Sequence, residues 1–174
     1  MHVRRQGLGK LLLLLTAAPA LIGSLGPRSN FDERLLAAHN RERTVMSVPP
    51  LQWDPELAAK SGEWADHLSR TGMFEHSPDD PEGERIGENI WGGTPDAYQP
   101  EMMVGLWIDE KKHYKAGTFP DNSRSGRVEQ VAHYTQVIWR STTHVGCAAR
   151  RVGAEEVMVC RYRTAGNIYG QSVA

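Results

Sequence analysis

Three sets of side chains in this 174-residue sequence have the character to form a chemical site: a glutamate set among apolar residues, a group of histidines, and two cysteines. Met103, Trp107, Glu110 and Tyr114 recur at i, i+4, i+7 and i+11, a spacing that puts the Glu110 carboxylate on the apolar stripe of a helix. A buried carboxylate requires a metal, an imidazolium, an arginine or a proton. Spacing alone leaves a second reading open, in which Glu110 sits at the edge of the stripe and pairs with a neighbouring Lys or Arg. His39, His67, His76, His113, His133 and His144 form no His-Glu-x-x-His pair. Two have distinctive contexts. His76 lies in the turn-rich stretch Phe74-Glu75-His76-Ser77-Pro78, and His133 precedes the apolar Val137-Ile138-Trp139, places from which imidazoles can converge on a cleft. No Gly-x-Ser-x-Gly elbow, phosphate-binding loop or dinucleotide fingerprint is present, which leaves those enzyme classes without support.

Cys147 and Cys160 lie symmetrically about Gly153-Ala154, in two stretches (144–150 and 156–163) that read as strands of one hairpin. They would face each other, and a disulfide closing that short loop would contribute about 3 kcal/mol. Without a Cys-x-x-Cys pair, the bridge reads as a staple and not as a redox centre.

The elements that must position these residues follow from local signals. Phe31 to about Met46 is predicted helical, with Ser29 or Asn30 as cap. Asp54 and Pro55 open a second helix, Leu57, Ser61, Trp64, Ala65 and Leu68 continue it, and Gly72 ends it. Residues 75–100 read as a long connection interrupted by Gly87-Glu88-Asn89-Ile90-Trp91, and a third helix runs from about Pro100 to Tyr114. After the polar loop 115–127, Val128 to Gln136 reads as a short helix, and Val137-Ile138-Trp139 as the strongest strand signal.

Arg4, Arg5 and Lys10 before Leu11–Leu15, with Ala18-Pro19-Ala20 beyond, have the pattern of a secretory signal peptide over 1–20, too short in its apolar run for a membrane span. An uncleaved anchor and twin-arginine export are the alternatives. The expected organisation is a signal peptide (1–20), a leader (21–30) and one domain (31–174). The product is secreted, extracellular or periplasmic, without a stable membrane span after cleavage. Lys plus Arg number 20 against 21 Asp plus Glu, so no positive field favours nucleic acid.

His133-Tyr134-Thr135-Gln136-Val137-Ile138-Trp139-Arg140-Ser141, followed by Val145-Gly146-Cys147-Ala148, resembles the signature of the CAP superfamily, which includes cysteine-rich secretory proteins, antigen 5 proteins and pathogenesis-related class 1 proteins. Cys160-Arg161-Tyr162-Arg163, His39-Asn40 with Arg43, Gly87-Glu88-Asn89-Ile90 and Trp107-Ile108-Asp109-Glu110 extend the resemblance over about 31–172.

The resemblance implies an α+β fold, a three-layer α-β-α sandwich around a small central antiparallel sheet. The two His and two Glu that face each other in the family's cleft fall on His76, Glu88, Glu110 and His133, with Asn89 and Gln136 as supports. That set decides between the two readings of Glu110 in favour of a site. It suits a divalent cation such as zinc, His76 and His133 being the stronger ligands. The implied function is a secreted binding protein for a lipid or small hydrophobic ligand, with no enzymatic activity implied by the family as a whole. One alternative is a metal-dependent hydrolase with Glu88 or Glu110 as general base. Another is a defence or signalling factor that uses residues 75–100 on a protein partner. The polar loop 115–127, with Phe119 as its one aromatic, argues against sterol. Thr164-Ala165 before Gly166-Asn167 departs from the plant pattern for release of a C-terminal peptide.

Overall fold

The computed structural model describes residues 28–78, 81 and 83–174; the expected signal peptide and its cleavage point lie outside the described residues. Helix α2 (Pro55–Thr71) shows how local chemistry sets an element: Asp54 Oδ1 accepts from the amides of Glu56 (2.9 Å) and Leu57 (3.1 Å), Pro55 occupies the first turn, and Gly72 closes the helix at φ 69°. Helix α1 (Phe31–Val45) starts differently, because Asn30 stands at the cap position with φ 55° and makes no side-chain bond to the helix.

Strands β1 (Gln52–Trp53), β2 (Gly87–Gly93), β3 (His144–Val152) and β4 (Glu155–Arg163) form one sheet in the order β1-β3-β4-β2. The expected hairpin is β3–β4, with Cys147 directly opposite Cys160 and bonded to it. Gly153 takes φ 59° in its two-residue turn, the left-handed value that primed hairpin turns require. The sheet is not purely antiparallel, because the two-residue β1 joins β3 in parallel.

Alternation along β4 sorts the core into two layers. Val157 and Val159 pack with Ile90 against Ala65 and Leu68 of α2. Met158, Cys160 and Tyr162 face a larger cluster with Leu35 and Ala38 of α1, Met103 and Trp107 of α3 (Pro100–Ile108), and Tyr134 and Val137 of α4 (Ala132–Val137). This is the expected α-β-α sandwich. α2 lies so close to β3 that a Cβ at Gly146 would overlap the backbone of Asp54, Leu57 and Ala58.

Two elements depart from the sequence reading. The third helix stops at Ile108 and continues as a 3-10 turn, Asp109–His113, which takes Glu110 out of the helical register. The stretch 137–139 ends α4 and is not a strand, although Val137, Ile138 and Trp139 are all buried. Two of its carbonyls are satisfied from α1: the fully buried Arg43 donates to Val137 O (2.9 Å) and Trp139 O (2.9 Å), and also to Thr142 O (3.0 Å) and Pro49 O (2.6 Å). A short buried apolar run has no periodicity with which to tell helix from strand, and here one guanidinium takes the place of a ladder.

Candidate functional site

The structure arranges the four expected cleft residues as two His–Glu pairs. In the first, Glu88 is the second residue of β2, on the α2 side of the sheet, the face it shares with Ile90. It accepts four hydrogen bonds: from His76 Nδ1 (2.9 Å) and the Ser77 amide (3.0 Å) on one oxygen, and from Ser77 Oγ (2.8 Å) and Arg161 Nε (3.2 Å) on the other. Burial raises the Glu88 pKa, but the bonds from His76 and Ser77 and the Arg161 charge outweigh it and hold the carboxyl below its usual range. The same bond raises the His76 pKa against the opposing effect of burial. His76 is nonetheless the open member, its side chain 63% exposed against 8% for Glu88.

In the second pair, Glu110 reaches from the 3-10 turn to the start of α4. Its two oxygens accept from His133 Nδ1 (2.6 Å) and the Tyr134 amide (3.0 Å), satisfying an N–H that the first turn of a helix leaves without an internal partner. Trp107 stacks on the His133 ring, 11° from parallel with centroids 6.1 Å apart.

Of the groups that brace this pair, sequence reasoning named Asn89 as a support and passed over the bracing roles of Glu42, Tyr162 and His39. Glu42, on α1, accepts at one oxygen from Tyr134 Oη (2.8 Å) and Lys111 Nζ (2.8 Å), the immediate neighbours of His133 and Glu110. A buried relay supports the backbone: Asn89 Nδ2 donates to His133 O (3.1 Å) and to Tyr162 Oη (3.3 Å), and Tyr162 Oη meets His39 Nε2 at 2.9 Å. His39 Nδ1 faces Leu35 O at 2.8 Å, so that nitrogen carries the proton and Tyr162 donates to Nε2. Burial lowers the His39 pKa to about 4, keeping it neutral at physiological pH. An i to i+3 pair (His39, Glu42) on an otherwise core-facing stripe is the signal that could have marked them.

Asn89 thus supports His133 directly. Gln136 acts elsewhere: its side chain accepts from the Gly166 amide (2.8 Å) and donates to Thr142 Oγ1 (3.3 Å), and any side chain at Gly87 would collide with it. Gln136 also lines the main cavity, of about 1070 Å³, together with His76, Glu88, Arg161, Arg163 and Asn167. Glu110 and His133 are not in that lining. The link between the pairs runs through adjacent residues of β2, Glu88 on one face and Asn89 on the other.

Each imidazole gives Nδ1 to a carboxylate, which leaves Nε2 as its ligand atom, the arrangement that orients histidines toward metals. Among the described residues, no three of His, Cys, Asp or Glu stand together as a group able to hold a metal ion. Among the described residues these side chains therefore offer fewer protein ligands than the three or four that zinc sites use.

Residues 36–162 match the family described as "Cysteine-rich secretory protein family" (CAP). The chain is 33% identical over 144 residues to pathogenesis-related protein 1B of Nicotiana tabacum, covering 82% of this chain and 80% of the relative. It is 32% identical over 145 residues to the secreted protein RBT4 of Candida albicans, covering 82% of this chain and 37% of that protein. In fold it is similar to the crystal structure of NaASP2 with Zn2+, at a TM-score of 0.68 and 21% identity, over 81% of this chain and 83% of that one. With its disulfide hairpin, three-layer architecture and paired His–Glu residues, the chain belongs to the CAP family.

Proposed function

We propose that this CAP domain is a secreted binding module whose principal ligand is a polar or amphipathic small molecule held in the cavity beside the His76–Glu88 pair. The observation that carries this is the lining: charged and amide side chains dominate a cavity of about 1070 Å³, so a ligand there is recognised by hydrogen bonds. A wholly apolar ligand finds little complementary surface in it. A second cavity, of about 320 Å³, sets Phe31, Cys147, Ala148 and Ala149 among Arg28, Asp32, Arg150 and Glu156; it is less polar than the first but much smaller. Secretion is supported by residues 1–20 and by the secreted relative in Candida albicans. Among the described residues no helix is long and apolar enough to cross a membrane.

For the hydrolytic alternative Glu88 is a poor general base, because such a base works best with a pKa near the operating pH and Glu88 is held below the carboxylate range by four donors. Calorimetric titration of the protein with water-soluble solutes and, in parallel, with palmitate tests the assignment. Saturable binding of a polar solute that competes at the cavity is expected. Palmitate binding alone, retained in the His76→Ala/His133→Ala double variant, would sink the polar-cavity reading.

A second reading, binding of a divalent cation, is supported by the carboxylate-oriented imidazoles, and zinc is present in the NaASP2 structure. His76 and His133 would hold the ion through Nε2, and it would supply a Lewis acid to a bound ligand. Zinc titration should give one weak site that the double variant lacks; unchanged binding in that variant would remove these histidines from the role.

A further inference from the structure

The face of α2 that borders the cavity is more than a wall. Lys60 and Glu63 line the cavity, and Trp64 and His67 follow at the same helical spacing, their rings stacked with centroids 4.4 Å apart and 10° from parallel. Trp64 is fixed in place, its Nε1 donating to Glu75 O at 3.1 Å, next to the His76 that lines the cavity. Phe74, 64% exposed and one residue before the Glu75 that holds Trp64, rests against Gly92, where an added Cβ would come to 3.0 Å from its ring.

Most charges of the lining, Glu63 and Arg85 apart, are paired with one another or with neighbouring acids. Arg161 and His76 pair with Glu88, Arg163 pairs with Asp54 and Glu84, and Lys60 pairs with Glu56 at 3.0 Å. An ionic ligand would have to break such pairs, whereas a neutral ligand with many hydroxyls can use the remaining donors and acceptors as they stand. Sugar rings add C–H faces that pack on aromatic rings, and the cavity volume of about 1070 Å³, just above the range of about 300–1,000 Å³ for small-molecule sites, suits several units better than one. The chain's net charge of −1 offers no attraction to a polyanion.

We propose that the cavity and the Trp64–His67 rim together bind a neutral oligosaccharide, an inference that rests on the polar-cavity reading and names its ligand class. The test is calorimetry of the secreted protein with neutral linear hexasaccharides of β-1,3-glucose, β-1,4-glucose and β-1,4-N-acetylglucosamine, beside a heparin hexasaccharide and palmitate. At least one neutral hexasaccharide should bind with quenching of tryptophan fluorescence. Its affinity should change less than about twofold between about 0.05 and 0.5 M salt. Trp64→Ala should weaken it about tenfold, and Trp64→Phe should restore most of the loss. Should Trp64→Ala fail to fold, His67→Ala and Phe74→Ala carry the test, each expected to weaken binding. Failure of all three neutral sugars overturns the inference, as does full affinity in folded rim variants. If only heparin binds, and Glu88→Gln alters its affinity, the neutral-sugar inference fails while the polar cavity stands. Palmitate binding alone removes both.

Discussion

The two His–Glu pairs share their chemistry and differ in almost everything around it. His76–Glu88 joins an exposed imidazole on an irregular segment to a carboxylate already saturated by Ser77 and Arg161. His133–Glu110 is built into packed elements, stacked on Trp107, clamped through Glu42 and supported from below by the Asn89–Tyr162–His39 relay. An identical pair can therefore be a solvent-facing tether in one place and a part-buried link between packed elements in another; neighbouring rings and donors decide which.

The strongest way to break the second region without touching the first is Arg43→Met. The carbonyls of Pro49, Val137, Trp139 and Thr142 lose their donor, and urea denaturation should show a loss of about 3–5 kcal/mol, since each buried acceptor left unsatisfied costs about 1–3 kcal/mol. An undiminished midpoint would mean that these carbonyls find water.

Two histidines, His39 behind the second pair and His76 in the first, should answer to acid in opposite directions. His39 has a folded pKa of about 4, below its unfolded value, so between pH 6.5 and 4 the unfolded chain binds the extra proton and stability falls as pH falls. From pH 7 to 5 the contribution lost is about 2 kcal/mol. Urea titrations at both pH values, compared with His39→Gln, should show the slope flattened in the variant. Tyr162→Phe cuts the same relay between Asn89 and His39 and should cost about 1–2 kcal/mol, with the pH slope largely kept.

The smallest effect belongs to the exposed pair. The His76 pKa is raised in the fold, so its contribution is present below about pH 6.5 and fades as pH rises through the folded value. The Glu88 pKa is lowered, so its contribution is present above the ordinary carboxylate range and is lost as pH falls through its folded value. Because His76 is exposed, the gain stays under about 1 kcal/mol and should be local. Amide exchange at Ser77, corrected for intrinsic rate, should be slower at pH 5.5 than at pH 8, and His76→Ala should abolish the difference.

Much of this contrast lay outside what could be read along the chain. The bounds of α2 were legible, because Asp54, Pro55 and Gly72 act on amides and dihedrals within a few residues. So was the Cys147–Cys160 hairpin, whose symmetry about Gly153-Ala154 is itself the register. The four His and Glu positions were reachable only through motif resemblance, since nothing in the spacing of Glu110 named its partner. The trailing strand at 137–139 and the full-length third helix were misread for a common reason: local hydrophobicity is silent about a buried guanidinium or a carboxylate reaching in from another element.

By itself the amino-acid sequence determined the family, the α2 boundaries, the disulfide staple and the residue types available for a site, all of which depend on neighbours in the chain or on a recognisable string. Only the tertiary structure decided that His76 meets Glu88 and His133 meets Glu110, that Glu42 and Tyr162 brace just one pair, and that the cavity is polar. Those outcomes depend on contacts such as Tyr134 with Glu42 and Asn89 with Tyr162, 92 and 73 residues apart. Contacts that distant form only when the sheet and helices pack, and packing sets which groups lose water and must find each other.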